Sequence, residues 1–278
     1  MKKRILLLCA VAAALGVAAV ASAATGHKSA TPLPVLGISE INKTVTVTGT
    51  PQSGATELDV TTDLKAKGIE SGAVLGVIHL NPGVTPDQFA AGIKRDGSNL
   101  EKFGSLDSTI DVSKGELIKI QTVLKPGQYV VADLNASPKS GRHTVVNVAQ
   151  SPAPAVLPPA DATIRMKDYR FTGPSVLKRG ELLRVENVGK EQHMAVAIKV
   201  KNRKAARQVE ALLRKGKDRQ VEKGIRLVGE LQDDVSPGAV NQGLVSLPKG
   251  TWVLACFMTT KKGVEHTRLG MERTLIVK

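Results

Sequence analysis

The sequence predicts a mainly β protein of two tandem Greek-key β-sandwich domains, each with one inserted helix. Three observations lead there. Short runs rich in β-branched residues recur along the chain, punctuated by Gly, Pro and Asn turns. The second half repeats the order of elements of the first. A Pro/Ala segment, Ser151-Pro-Ala-Pro-Ala-Val-Leu-Pro-Pro-Ala160, separates the two and reads as a stiff, extended linker.

In chain order, Met1 to Ala23 has the pattern of a secretory signal peptide. Lys2, Lys3 and Arg4 are followed by an apolar run from Ile5 to Val20 and the small residues Ala21-Ser22-Ala23. The apolar run is short for a membrane span. Residues 24–34 read as a flexible tail. Residues 35–150 form the first domain, with strands expected at Lys43 to Thr48, Ala73 to Leu80, Leu117 to Leu124, Gln128 to Leu134 and His143 to Val148. A helix is expected over Thr85 to Arg95, because Thr-Pro-Asp places Pro at the first helical position. Residues 161–278 form the second domain.

The repeat is legible residue by residue. Val74-Leu-Gly-Val-Ile-His-Leu80 parallels Met194-Ala-Val-Ala-Ile-Lys-Val200. A helix follows in each, Gln88 to Arg95 against Gln208 to Lys215. Leu124-Lys-Pro-Gly-Gln-Tyr-Val-Val-Ala-Asp-Leu134 parallels Leu247-Pro-Lys-Gly-Thr-Trp-Val-Leu-Ala-Cys-Phe257, and His143 to Val148 parallels Arg273 to Lys278. Duplication is the natural inference.

The formal charge is +14, or +11 once Lys2, Lys3 and Arg4 are removed with the signal. Such a charge favours acidic partners or anionic surfaces and sets no fold. Aromatic residues are few, so stacking platforms for nucleic acid are missing, and the basic run Lys199 to Lys223 reads as a solvated face. With Cys9 inside the signal, one cysteine remains, Cys256. In an exported chain it is a free thiol, an intermolecular bridge or a metal ligand; a small buried hydrophobe is the bland alternative.

Cys256 is followed by His266 and Met271, between apolar runs at Thr251 to Phe257 and Thr274 to Val277. A strand, a ligand-bearing loop and a final strand is the simplest reading. His193 lies upstream. Two His, one Cys and one Met make the set that holds a single copper ion, with a long axial thioether bond. Taken alone, His193 could be a loop residue after Lys190-Glu191-Gln192, and Met271 a core thioether. Met194 and Met258 compete for the axial place. In the first half, Ala73 and Asp133 stand where His193 and Cys256 would be, and Asn135 to Arg142 offers no His or Met.

Asn187-x-Gly189-x-x-x-His193, Gly250-x-Trp252-x-Leu254-x-Cys256 and His266-x-x-x-Leu269-Gly270-Met271 together resemble the cupredoxin, or type 1 blue copper, family over about Asp161 to Lys278. The nine residues between Cys256 and His266 exceed the gap of the small electron carriers and are more similar to the type 1 domain of copper nitrite reductases. The resemblance implies a mononuclear copper on His193, Cys256, His266 and Met271. It gives Asn187 the job of tying the ligand loops together, and makes the first domain a degenerate copy. Phe257 stands where a nitrite reductase has the His leading to a second copper, and five histidines in all cannot supply the clusters of a multicopper oxidase. The chain therefore reads as a non-enzyme: an exported copper protein engaged in one-electron transfer. Copper sequestration or delivery, and a copper-free binding module, are the alternatives. The implied partners are a redox protein or a copper donor or acceptor; an anionic surface is a further candidate and nucleic acid is excluded.

Overall fold

In a computed structural model, residues 32–66, 71–95, 100–137, 140–222 and 228–278 are described. The signal peptide, and the tail as far as Thr31, lie outside these residues.

The first half contains β1 (Val35–Ile41), β2 (Thr44–Thr48), β3 (Gly54–Thr62), β4 (Ala73–Leu80), α1 (Pro86–Arg95), β5 (Gly104–Val112), β6 (Ile118–Leu124), β7 (Gly127–Asp133) and β8 (His143–Val148). The second contains β9 (Ala162–Lys167), β10 (Arg170–Thr172), β11 (Val176–Leu177), β12 (Leu182–Asn187), β13 (His193–Val200), α2 (Arg203–Arg214), α3 (Asp218–Glu222), β14 (Val228–Val235), β15 (Val240–Leu244), β16 (Gly250–Ala255) and β17 (Glu272–Val277). The molecule is mainly β, and each half is a sandwich. In the first, Leu36, Ile38, Leu58 and Val60 pack against Leu75, Val77, Val131 and Val146. In the second, Ile164, Met166 and Val185 pack with Ala195, Trp252, Leu254 and Leu275.

The halves are not beads on a string. One eight-stranded sheet, β10-β9-β12-β15-β6-β3-β1-β2, runs through both. It is joined where Asn241 and Gln242 pair with Thr122 and Gln121. The facing layers remain separate sheets, β5-β4-β7-β8 and β11-β17-β16-β13-β14. Their edge strands β5 and β14 meet: Ser236 N donates to Leu106 O and Leu106 N to Ser236 Oγ, both at 2.8 Å. Each edge thus occupies hydrogen-bonding groups that would otherwise invite another chain.

Helices cover the outer faces. Thr85 and Gln88 form a reciprocal capping pair at the start of α1, with Gln88 N donating to Thr85 Oγ1 and Thr85 N to Gln88 Oε1. Phe89 of α1 is buried with Ile78, Leu80 and Val130. Asn202 caps α2, accepting from Ala205 N, and Ala206 and Leu213 pack on Ile198, Val253 and Ala255.

Pairing registers test the repeat. Gly76 pairs with Ala132 and Val196 with Ala255, so Ala73 matches His193 and Asp133 matches Cys256, as the sequence predicts. The last strand requires a correction. Ala132 pairs with His143 and Ala255 with Glu272, so His143 corresponds to Glu272 rather than Arg273. A one-residue slip moves every side chain to the other face, and hydrophobic runs without clear alternation do not fix the register. The structure also extends the repeat upstream. Hairpin β1–β2 turns at Asn42-Lys43 and β9–β10 at Asp168-Tyr169, and both β1 and β9 run parallel to their neighbours β3 and β12. The second half carries α3 besides its one expected helix. Residues 151–160 form no strand, yet they are tied down: Ala55 N donates to Ala155 O, and Arg184 and Gln242 both donate to Pro158 O.

Candidate metal centre

Four pieces of the second half converge at one end of its sandwich. β13 begins with His193, and Cys256 directly follows β16. The connection to β17 folds back as a small hairpin, with Thr260 N donating to Val264 O and Thr259 bridging Glu265. His266 N then reaches Met258 O at 2.9 Å, so the nine-residue gap is a folded excursion that returns His266 beside its strand. A 3₁₀ turn, His266 to Leu269, ends at Gly270 with φ 98°, where glycine adopts the left-handed conformation without steric cost. Met271 N bonds His266 O, and Cys256 N bonds Met271 O, which locks the loop to the thiol.

His193, Cys256, His266 and Met271 are each fully buried. The two Nδ1 atoms lie 3.1 Å apart, and Cys256 Sγ lies 3.4 Å from His266 Nδ1 and 3.8 Å from His193 Nδ1. A triangle with those edges has a centre about 2.0 Å from each corner, against typical bonds of about 2.0–2.1 Å to imidazole and 2.3 Å to thiolate. Met271 packs in the same core cluster as Cys256, as do Met166, Met194 and Met258.

The outer nitrogens are held by carboxylates. His193 Nε2 meets Asp168 Oδ1 at 3.3 Å, and His266 Nε2 meets Glu191 Oε2 at 3.0 Å. Tyr169 donates from its hydroxyl to Glu191 Oε1 and sets its ring edge-on to His266, with centroids 5.1 Å apart. A carboxylate accepts and does not donate, so each Nε2 carries the proton and each Nδ1 turns a lone pair inward. Burial lowers both imidazole pKa values, favouring the neutral form. Burial also pushes the Cys256 thiol up to about 12, although Met194 N and Met258 N donate to its sulfur. Three donor atoms therefore converge with a single S–H proton among them, and a cation at their centre would satisfy all three.

Asn187 is buried as well. Its Nδ2 donates to Glu191 O and Val235 O, both at 2.9 Å, and its Oδ1 accepts from Gly189 N. It thereby fixes the loop that carries Glu191 and leads into His193. A side chain at Gly189 would strike Asp168 and come within 2.7 Å of His193 Nε2, so only glycine fits there. Asp168, Tyr169 and Glu191 escape sequence reading. They lie in stretches that look like solvated turns, and only the fold shows the tight hairpin at Asp168-Tyr169, where Tyr169 takes φ 62°.

A second group, Asp111, Glu230 and Asp233, lies at the seam between β5 and β14. Burial raises the pKa of all three, which opposes a cluster of bare charges, and nothing beyond them points to an ion.

No family model and no curated protein matches the chain. Among solved structures, reduced auracyanin from Roseiflexus castenholzii aligns at 15% identity, covering 42% of this chain and 94% of its own, with a TM-score of 0.27. Copper nitrite reductase from Nitrosomonas europaea aligns at 14% identity, covering 88% of this chain and 93% of its own, at 0.23. Auracyanin B aligns at 17% identity over 44% and 93%, at 0.27. Likenesses this slight decide nothing about the centre, whose reading rests on its own donors.

Proposed function

We propose that the chain is an exported copper protein whose second half holds one mononuclear ion and exchanges single electrons with a redox partner. The supporting observation is the triangle of Cys256 Sγ, His193 Nδ1 and His266 Nδ1, with more lone pairs than protons. Its size alone would suit several first-row ions. Two imidazoles, a thiolate and a nearby thioether select copper, because soft sulfur suits Cu(I) while imidazole accepts both oxidation states. When bound, the ion supplies a one-electron couple.

The chain's own residues then have defined tasks. Asp168 and Glu191 fix the tautomers and ring orientations. Met194 N and Met258 N stabilise sulfur once it loses its proton. Met271, in the same core cluster as Cys256, would offer a thioether to the ion, and Asn187 holds the His193 loop. The closed, hydrogen-bonded surroundings limit rearrangement between oxidation states. The excess of basic residues suits an acidic partner. No helix among the described residues is long and apolar enough to cross a membrane.

The test is addition of Cu(II) to the reduced full-length protein. One equivalent should give a strong visible sulfur-to-copper charge-transfer band. Cys256→Ser should abolish it, and Met271→Leu should keep it while raising the potential. Absence of the band in the natural protein, with Cys256→Ser binding Cu(II) equally well, would leave Cys256 a core thiol and the protein a binding module.

A further inference from the structure

After Met1 the sequence has four methionines, at 166, 194, 258 and 271, and all four gather around Cys256. Met166 and Met271 are fully buried. Met194 and Met258 are only partly buried at the border of that cluster. Met194 near the start of β13 and Met258 in the loop after β16 both donate to the thiol from their backbone amides. Gap-filling accounts for a methionine deep in a core. Met194 and Met258 pack against the border of that core, so part of each residue also remains in solvent.

The centre itself is closed. Its histidine side chains are at most 1% exposed and Cys256 is 0% exposed, while Asp168 and Glu191 cap the outer nitrogens. An ion arriving from solvent must meet some other donor first. Met194 and Met258 combine solvent access, soft sulfur and adjacency to Cys256. We propose that they form a capture site for Cu(I), from which the ion is handed inward to Cys256; this rests on the copper reading above. Thioether sulfur is neutral and prefers Cu(I) to Cu(II). The handover exchanges thioether bonds for a thiolate bond, releases the Cys256 proton to water, and moves no electron.

Silver(I), a redox-inert analogue of Cu(I), tests this directly. Titrated into the reduced Cys256→Ser protein labelled with ¹³C at the methionine methyls, it should shift Met194 and Met258 together, ahead of Met271, and leave Met166 unmoved. In the natural background, Met194→Leu with Met258→Leu should slow Cu(I) uptake from a chelator complex by on the order of tenfold. The far-ultraviolet circular dichroism should not change. Silence of both methyls, or a double variant that loads at the natural rate, overturns the capture route. A normal Cu(II) band beside that result leaves the copper centre standing, whereas a missing band in the natural protein sinks the copper reading itself.

Discussion

The two halves place the same backbone atoms around the same point and fill it by opposite means. In the second half Met194 N donates to Cys256 Sγ at 3.4 Å; in the first, Val74 N donates to Asp133 Oδ1, also at 3.4 Å. Where the second half has His193, the first has Ala73. Where β9 puts the buried thioether of Met166, β1 puts the buried carboxyl of Glu40, each opposite the corresponding residue of the parallel neighbour, Asn187 or Thr62. The cation comes from the chain itself: Arg142 Nη1 lies 3.2 Å from Glu40 Oε1 and 3.1 Å from Asp133 Oδ2. The comparison teaches that this end of the sandwich is a place for a cation. One copy supplies a guanidinium by covalent connection, while the other turns inward lone pairs that suit the ion proposed above.

Removing the tethered cation should have the largest effect. Arg142→Met leaves two carboxyls in a buried place without their counter-charge, and breaking such a pair costs about 3–5 kcal/mol. Chemical denaturation should show that loss, with copper uptake at Cys256 retained. A cost near zero would mean that the first-half triad is ornamental and the parallel between the halves is superficial.

A smaller effect is expected at the second half's outer carboxylate. Glu191→Gln removes the charge that orients His266 and raises its basicity, and such neighbours are worth about 10–100-fold in metal affinity. Competition with a copper chelator measures it. Equal affinity in the variant would show that the His266 orientation is set by Tyr169 and the loop alone.

A further test of the comparison is a pH dependence that arises in the first half. Glu40 has its pKa raised from 4.5 to about 7, chiefly by burial and next by the neighbouring Asp133, with Arg142 opposing. A carboxyl that binds its proton more tightly when folded contributes stability that is fully present below about pH 4.5 and is lost as pH rises through about 7. Thermal unfolding of the natural protein should therefore weaken between these values relative to Glu40→Gln. Parallel curves would place Glu40 in a wetter setting than its burial indicates.

The parts of this protein that were legible in advance share a property: their information is local. Ala73–Leu80 and His143–Val148 are strands with the expected bounds, and α1 starts one residue inside the expected span, after its Thr85 cap. Cys256, His266 and Met271 lie within one strand-loop-strand, so their order alone suggested a common site. β1, β3 and β5 were not foreseen. Gly54–Thr62 mixes polar and apolar residues, and its inward Leu58 and Val60 become a recognisable face only once the facing sheet packs on them.

Sequence by itself determined the duplicated mainly β plan, because strand alternation, turn residues and internal repetition are properties of neighbours along the chain. It also singled out His193, Cys256, His266 and Met271 as candidate donors, because their chemical types are scarce. Tertiary structure alone decided which Nδ1 atoms face the thiol, that Asp168 and Glu191 hold the other sides of the rings, and that Arg142 meets Glu40 across 102 residues of chain. It alone also decided that the two sandwiches share one sheet through Thr122 and Gln121. Those outcomes depend on pairings distant in sequence, whose energies of a few kcal/mol or less exist only after the sheets have brought the groups together.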